Sequence, residues 1–226
     1  MGGMSGMGSM KMNSSSTGFG DMKLHGLYKI WQKRCQQITI SAGLSIPMGN
    51  IKTKGTTFMS SGDSLNKLPY NMQLGTGSFS IIPGINYIGQ CKHISWGASA
   101  FADMKTGVNA EGYQWGNEYS GSGWMAYKCC KWVSASARME YVSSGSIKGY
   151  DKDIAMMMNN DPTANATNYG GTHTNLLLGL NFYVPKGAYK GLRFGFEYLN
   201  PINQNMNGTQ MSLKSGFMAG IQYSIQ

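Results

Sequence analysis

Segments of about ten residues in this chain alternate apolar and polar side chains, and that period is the strongest constraint on its fold. The clearest runs over Gln36–Gly49, where Ile38, Ile40, Ala42, Leu44, Ile46 and Met48 oppose Gln37, Thr39, Ser41, Gly43 and Ser45. Side chains on a strand point to opposite faces in turn, so such a segment is a strand with one greasy and one polar face. The stretch Thr174–Asn200 repeats the pattern twice. Its first arm puts Leu176, Leu178, Leu180, Phe182 and Val184 on one parity, with only Leu177 out of step. Its second sets Leu192, Phe194, Phe196 and Tyr198 against Arg193, Gly195 and Glu197. The connector between them carries Gly187, Gly191 and two lysines, a turn composition.

Further strands are expected along the rest of the chain. Gly20–Trp31 places Met22, Leu24, Tyr28 and Ile30 on one face and Lys23, His25 and Lys29 on the other. In Ser78–Gly89, Pro83 cannot donate to a ladder and predicts a bulge or kink. Ile94–Met104 follows, then Asn117–Lys128 with Tyr119, Met125 and Tyr127 assigned outward, then a strand opening at Val133. A last strand is expected from Met211 to Ile225. The total is about nine, most of them as long as a tilted strand that crosses a membrane. Their connectors alternate long and short, as in bacterial outer-membrane barrels with short periplasmic turns and long external loops. The expected fold is all-β: an antiparallel up-and-down transmembrane β-barrel over residues 20–226 of the bacterial outer membrane, preceded by a Met/Gly/Ser-rich external loop over residues 1–19.

Nine is odd, whereas single-chain bacterial barrels have even counts. Counting back from a periplasmic end also places residues 1–19 outside. Those residues lack the apolar core of a secretory signal. The expectation is therefore a missing N-terminal region: a signal peptide and an odd number of strands.

Composition agrees with lipid as part of the environment. Charged residues make up 13% of the 226, and hydrophobic ones 41%, yet no apolar run is long enough for a membrane helix. A soluble surface normally needs about 25% charge. The formal net charge of +9 raises nucleic acid as a partner. The lysines, however, fall singly in turns and loops, without the basic stripe of a nucleic-acid binder, so no nucleic acid is expected.

The blocks GFGDMKLHGLYKIW, LPYNMQLGTGSFSIIPGINYIGQ and LLLGLNFYVPKGAYKGLRFGFEYLNP carry a resemblance. From Gly18 onward the chain resembles the outer-membrane transporter family labelled "MetA-pathway of phenol degradation", porin-like channels for aromatic compounds. That resemblance implies a barrel of about a dozen strands, with about three absent here, and passage of small solutes without naming one. The chain departs from the pattern at its end, which reads YSIQ where outer-membrane strands commonly finish on an aromatic residue.

Three groups of residues could carry function. Parity turns Lys23, His25, Lys29, Asp103, Arg138, Glu140, Arg193, Glu197 and Lys214 toward the interior, because an Arg or Lys facing mid-bilayer lipid costs about 2–4 kcal/mol. They line a pore with both signs of charge, or else form an ion-pair plug. Met1, Met4, Met7, Met10 and Met12, with Met156, Met157 and Met158 in a later loop, offer soft thioethers to Cu(I) or silver, or simply fill gaps. Cys35, Cys91, Cys129 and Cys130 all lie at short turns, as disulfides or free thiols. Neither an enzyme signature nor a cofactor motif is present. The expected function is a channel whose partners are outer-membrane lipid and a small solute. The alternatives are a non-transporting barrel whose Met-rich loops bind soft metal or mediate surface contacts, and a soluble β-sandwich or barrel that binds a ligand.

Overall fold

Nine strands pair antiparallel in chain order. They are β1 (Met22–Lys33), β2 (Gln36–Ile46), β3 (Ser80–Cys91), β4 (Ile94–Lys105), β5 (Glu118–Lys128), β6 (Val133–Ser144), β7 (Gly171–Tyr183), β8 (Leu192–Met206) and β9 (Gly216–Tyr223). The structure, a computed structural model, describes residues 15–56, 65–187 and 189–224. The protein is all-β, an up-and-down antiparallel sheet as expected from the alternation. Among the described residues the sheet is open, with β1 and β9 each paired on one side only. No described helix is long and apolar enough to cross a membrane.

Register keeps the two faces separate across the whole sheet. One row crosses seven strands as Lys29, Thr39, Asn86, Ser99, Ser122, Glu140 and Asn175. On the opposite face a row crosses six as Ile94, Tyr127, Ala135, Leu180, Phe196 and Ala219. The outward assignment of Tyr119, Met125 and Tyr127 agrees with both register and exposure.

The polar face is the covered one. Ser41 and Ser45 are 6% and 2% exposed, whereas their neighbours Ile40 and Leu44 are 41% and 56% exposed. Curvature explains the difference. Lys23 on β1 reaches Asp103 on β4 at 3.2 Å, although three strand spacings would separate them by about 14 Å on a flat sheet. The sheet therefore curls around its polar face. Inward aromatic rings lie over glycines of the next strand: a Cβ on Gly97 would stand 2.7 Å from Trp124 Nε1.

Local departures from the expected pattern have physical causes. At Pro83 the β3–β4 pairs stop between Ile81↔Met104 and Gly84↔Phe101, and resume in the same register. The missing N–H interrupts the ladder there without a bulge. A register shift occurs instead between Lys29 and Trp31, so that Trp31, paired with Ile38, takes the outward position expected of Ile30. A second shift lies beside Pro201, opposite Thr174 and Asn175. The last strand starts at Gly216, not at Met211, so Lys214 lies before it and is not one of its inward residues. The cause is Gln204, whose side-chain amide takes both the N–H and the C=O of Leu213 at 2.9 and 2.8 Å, in place of a strand partner. β8 also runs on to Met206, which leaves residues 184–191 and 207–215 similar in length and ends the strict alternation of connectors.

The described residues of the short connectors (34–35, 92–93, 129–132 and 184–191) share one end of the sheet, and the described residues of 47–79, 106–117, 145–170 and 207–215 the other. Arg34 and Lys92 take φ of 47° and 44°, the left-handed conformation that a two-residue hairpin turn demands. At the other end the long loops build a core of their own. Tyr70, Tyr113, Ile147, Ile154, Met157, Ala164 and Ala166 are buried together, with Trp115 and Tyr169 packed against them. Tyr70 meets Tyr113 and Tyr169 edge-on at 4.9 and 5.7 Å, and its hydroxyl accepts from the Asp151 N–H at 3.0 Å.

Three loops converge on one buried cation. Lys67 pairs with both Glu111 and Asp151, and Lys52 reaches Glu111 at 3.0 Å. Burial alone would lower the Lys67 pKa, but its hydrogen bonds to Asp151 and Glu111 outweigh that and raise it. The hydrogen bonds from Lys67 and Lys52 hold the Glu111 carboxyl below its ordinary range. A depressed acid stabilises the folded loops above its unfolded pKa and ceases to do so as pH falls through the folded value. The raised lysine stabilises below its unfolded pKa, and its contribution fades only as pH rises through the folded value. Replacing Lys67 by Met strands Asp151 in the core and should weaken the loop assembly by about 3–5 kcal/mol. Hydrogen exchange read by mass spectrometry should show residues 106–117 and 145–170 opening in K67M, and in the wild type at acid pH, while β2–β8 stay protected.

Candidate pore lining

The concave face divides into three zones from the loop end to the turn end. At the loop end a space of about 400 Å³ is lined by Lys23, Asp103, Lys105, Glu118 and His173, among others. Its charges are largely matched, with Asp103 held between Lys23 at 3.2 Å and Lys105 at 2.7 Å. Asp21 fastens the surrounding loops by accepting from the Gly49 and Thr76 N–H groups at 3.0 and 2.8 Å.

In the middle zone, Arg138 on β6 reaches over β7 to pair with Glu197 on β8. The strand between them passes beneath at Gly179, where a Cβ would come 3.2 Å from Glu197 Cγ. Leu177 stands directly opposite Arg138 on this same inward face and is 1% exposed. Glu140 accepts from Asn175 at 3.4 Å.

The turn-end zone is a half-open space of about 670 Å³, lined by Trp124, Lys128, Lys131, Asn181, Tyr183 and Arg193, with others from β3 to β9. Gly195 and Gly220 face each other across β8 and β9 and leave it open. Arg193 lies over the Tyr183 ring, 5.2 Å from its centroid.

Eight of the nine expected interior residues sit on inward positions of strands; Lys214 is the exception. The structure joins Lys23 with Asp103 and Arg138 with Glu197, while Lys29 bonds its own-strand neighbour Gln32 at 2.5 Å. His25 lies over Gly43, and no described group of three His, Cys, Asp or Glu could hold a metal. Lys105, Glu118 and Lys128 continue the same parity and were legible as inward residues. Tyr183 falls on the polar parity of its arm with Asn175, Gly179 and Asn181, whereas Trp124 was harder to find, because aromatic residues read as lipid-facing. The loop cluster of Lys67, Glu111 and Asp151 left no periodic signal at all.

The cysteines are free thiols: Cys35, Cys91 and Cys129 are exposed and Cys130 partly so. Of the methionines, Met1, Met4, Met7, Met10 and Met12 lie outside the described residues. Met157 is 4% exposed in the loop core, whereas Met156 and Met158 are 66% and 41% exposed, so the three methionines of the later cluster do not share one exposed face.

The Arg138–Glu197 pair should behave as a coupled unit although each side chain remains about one-third exposed. R138Q and E197Q should each destabilise by more than an additive share of the double variant, with a coupling of about 1 kcal/mol in a double-mutant cycle of denaturant unfolding. No family model matches the sequence, and no curated protein matches it at a significant level.

Proposed function

We propose that the nine strands form the wall of an outer-membrane β-barrel channel that passes small solutes, with the long loops outside and the short turns in the periplasm. The observation that carries this reading is the inverted burial of the sheet: serines face the covered side, and isoleucine, leucine and aromatic side chains face outward. In water, an exposed apolar surface on this scale drives association. In a bilayer it is the lipid-facing band of a barrel. The buried Ser41 hydroxyl and Arg138 Nε lack protein partners, which suits a watered interior. Open sheet edges do not stand in lipid, so β1 and β9 have to be joined, to each other or through further strands. Matched charges at the loop end and free space at the turn end favour a passage over a solid plug.

Two measurements test the reading. Purified protein reconstituted in planar bilayers should give discrete conductance steps; a folded, heat-modifiable barrel that neither conducts nor takes up solute in liposomes would exclude a channel. Outward and inward substitutions should also separate. Arg at Leu180, on the outward row, should destabilise the lipid-embedded protein by about 2–4 kcal/mol, and Arg at the adjacent inward Asn181 by much less. Similar losses at both positions in vesicle unfolding titrations would argue for a water-soluble sheet.

A further inference from the structure

The turn-end chamber differs in charge from the rest of the interior. Lys128, Lys131 and Arg193 contribute to its lining, and no described lining residue is a carboxylate. The inward acid next along β8 is Glu197, and Arg138 already holds it. The contact made by the Arg193 guanidinium is the face of Tyr183, which orients the cation without neutralising it. The turns around the chamber extend the field: Lys33, Arg34, Lys92, Lys186 and Lys190 lie in or beside them, and the described turns contain no acid. By contrast, Asp103 and Glu118 balance Lys23 and Lys105 at the loop end.

We propose that this chamber is a binding station for small organic carboxylates that carry a flat apolar group. Arg193 takes the carboxylate, Lys128 and Lys131 add to the attracting field, and the inward Trp124 offers an apolar face to the remainder. Its volume falls within the range of small-molecule sites, and Gly195 and Gly220 are what keep it clear. Lys128 faces inward by register, opposite Ser134. The same cations make the chamber the step that selects by charge along the passage, as rings of Arg and Lys do in anion pores. Only that last role rests on the channel reading; the binding site does not.

The experiment separates the two. Full-chain protein in neutral detergent, free of anionic lipid, is titrated with benzoate and, separately, with benzyl alcohol while tryptophan fluorescence is followed. Benzoate should bind saturably and benzyl alcohol should not. R193Q and K128Q should weaken benzoate by about tenfold or more, and R193K should recover part of the loss. Each variant is used only where heat-modifiable mobility shows a folded barrel. Reversal potentials in a potassium chloride gradient then read charge preference, expected to favour anions and to shift toward zero in R193Q. Saturable benzoate binding that these variants weaken upholds the station even if the protein never conducts, a result that counts against the channel alone. Absent benzoate binding, or equal binding of benzyl alcohol, overturns the station whatever the conductance.

Discussion

Everything in this structure depends on a sheet whose backbone is satisfied and whose faces are assigned against the usual direction. Nine strands exchange hydrogen bonds in sequence, so the ladder consumes the polar backbone except at its two edges. The side chains then divide by parity alone. In a soluble sandwich the apolar face would turn inward onto a second sheet. Here the curl goes the other way, and small polar side chains such as Ser41 and Ser45 occupy the inside of the bend. Tight curvature favours this choice, because serine and glycine take less room on the concave side than isoleucine would. The inward rings of Trp124 and Phe101 fit only by lying over Gly97 and Gly84 on adjacent strands. On the channel reading, lipid covers the outward face and no second sheet is needed.

A sheet built this way has no hydrophobic core of the ordinary kind, and the loops compensate. The buried aromatic and aliphatic cluster of the described residues lies among the long connectors, around Tyr70, Tyr113 and Ile154. Burial pushes the Tyr113 phenol well above its ordinary pKa and the Tyr169 phenol up to about 12, so both stay neutral and add no charge to this interior. The Lys67 ammonium is the electrostatic centre of the three loops that share this core. The assembly reaches the sheet through Asp21, and through Asn117 and Gln114, which bond the Lys105 backbone at 2.9 Å each. The shape of the loop-end opening therefore follows from the loop core as well as from the strands.

How much of this was legible in the sequence depended on whether a feature is periodic. The parity of β2, of β6 and of the β7–β8 hairpin was readable because nearly every residue there supports the same assignment of faces, Leu177 being the exception. Even the weak pattern of Asn117–Lys128 gave the right outward set, since three large residues sufficed to set parity. Events that add or remove one residue of register were not readable: the shift after Lys29 and the substitution of Gln204 for a ladder partner at Leu213 both need the neighbouring strand to be known. The second of these moved Lys214 off the interior list. The ion network of the loops was invisible for a different reason. Lys67, Glu111 and Asp151 are 40 or more residues apart at each step, and nothing local marks them. Charge was misleading at the turn end as well, where lysines that looked like scattered surface residues turned out to share one end of the molecule.

Leu177 shows how an exception to the pattern can mark the point where the interior is organised. It was the one residue out of step in the first arm of the Thr174–Asn200 hairpin, a leucine at an inward position. In the sheet it stands opposite Arg138 on β6 and opposite Leu199 on β8, and is almost fully covered. A long arginine stem needs an apolar surface to lie along if its head group is to be held at a fixed height. Leu177, the register partner of Arg138, stands where it offers that surface, and Gly179 two residues on leaves room for the guanidinium to reach Glu197. A polar residue at position 177 would have kept the alternation and lost the support. Along β7, Leu177 lies between His173 of the balanced loop-end space and Asn181 of the cationic turn-end chamber, so the break in the pattern falls between the two electrostatic environments of the interior.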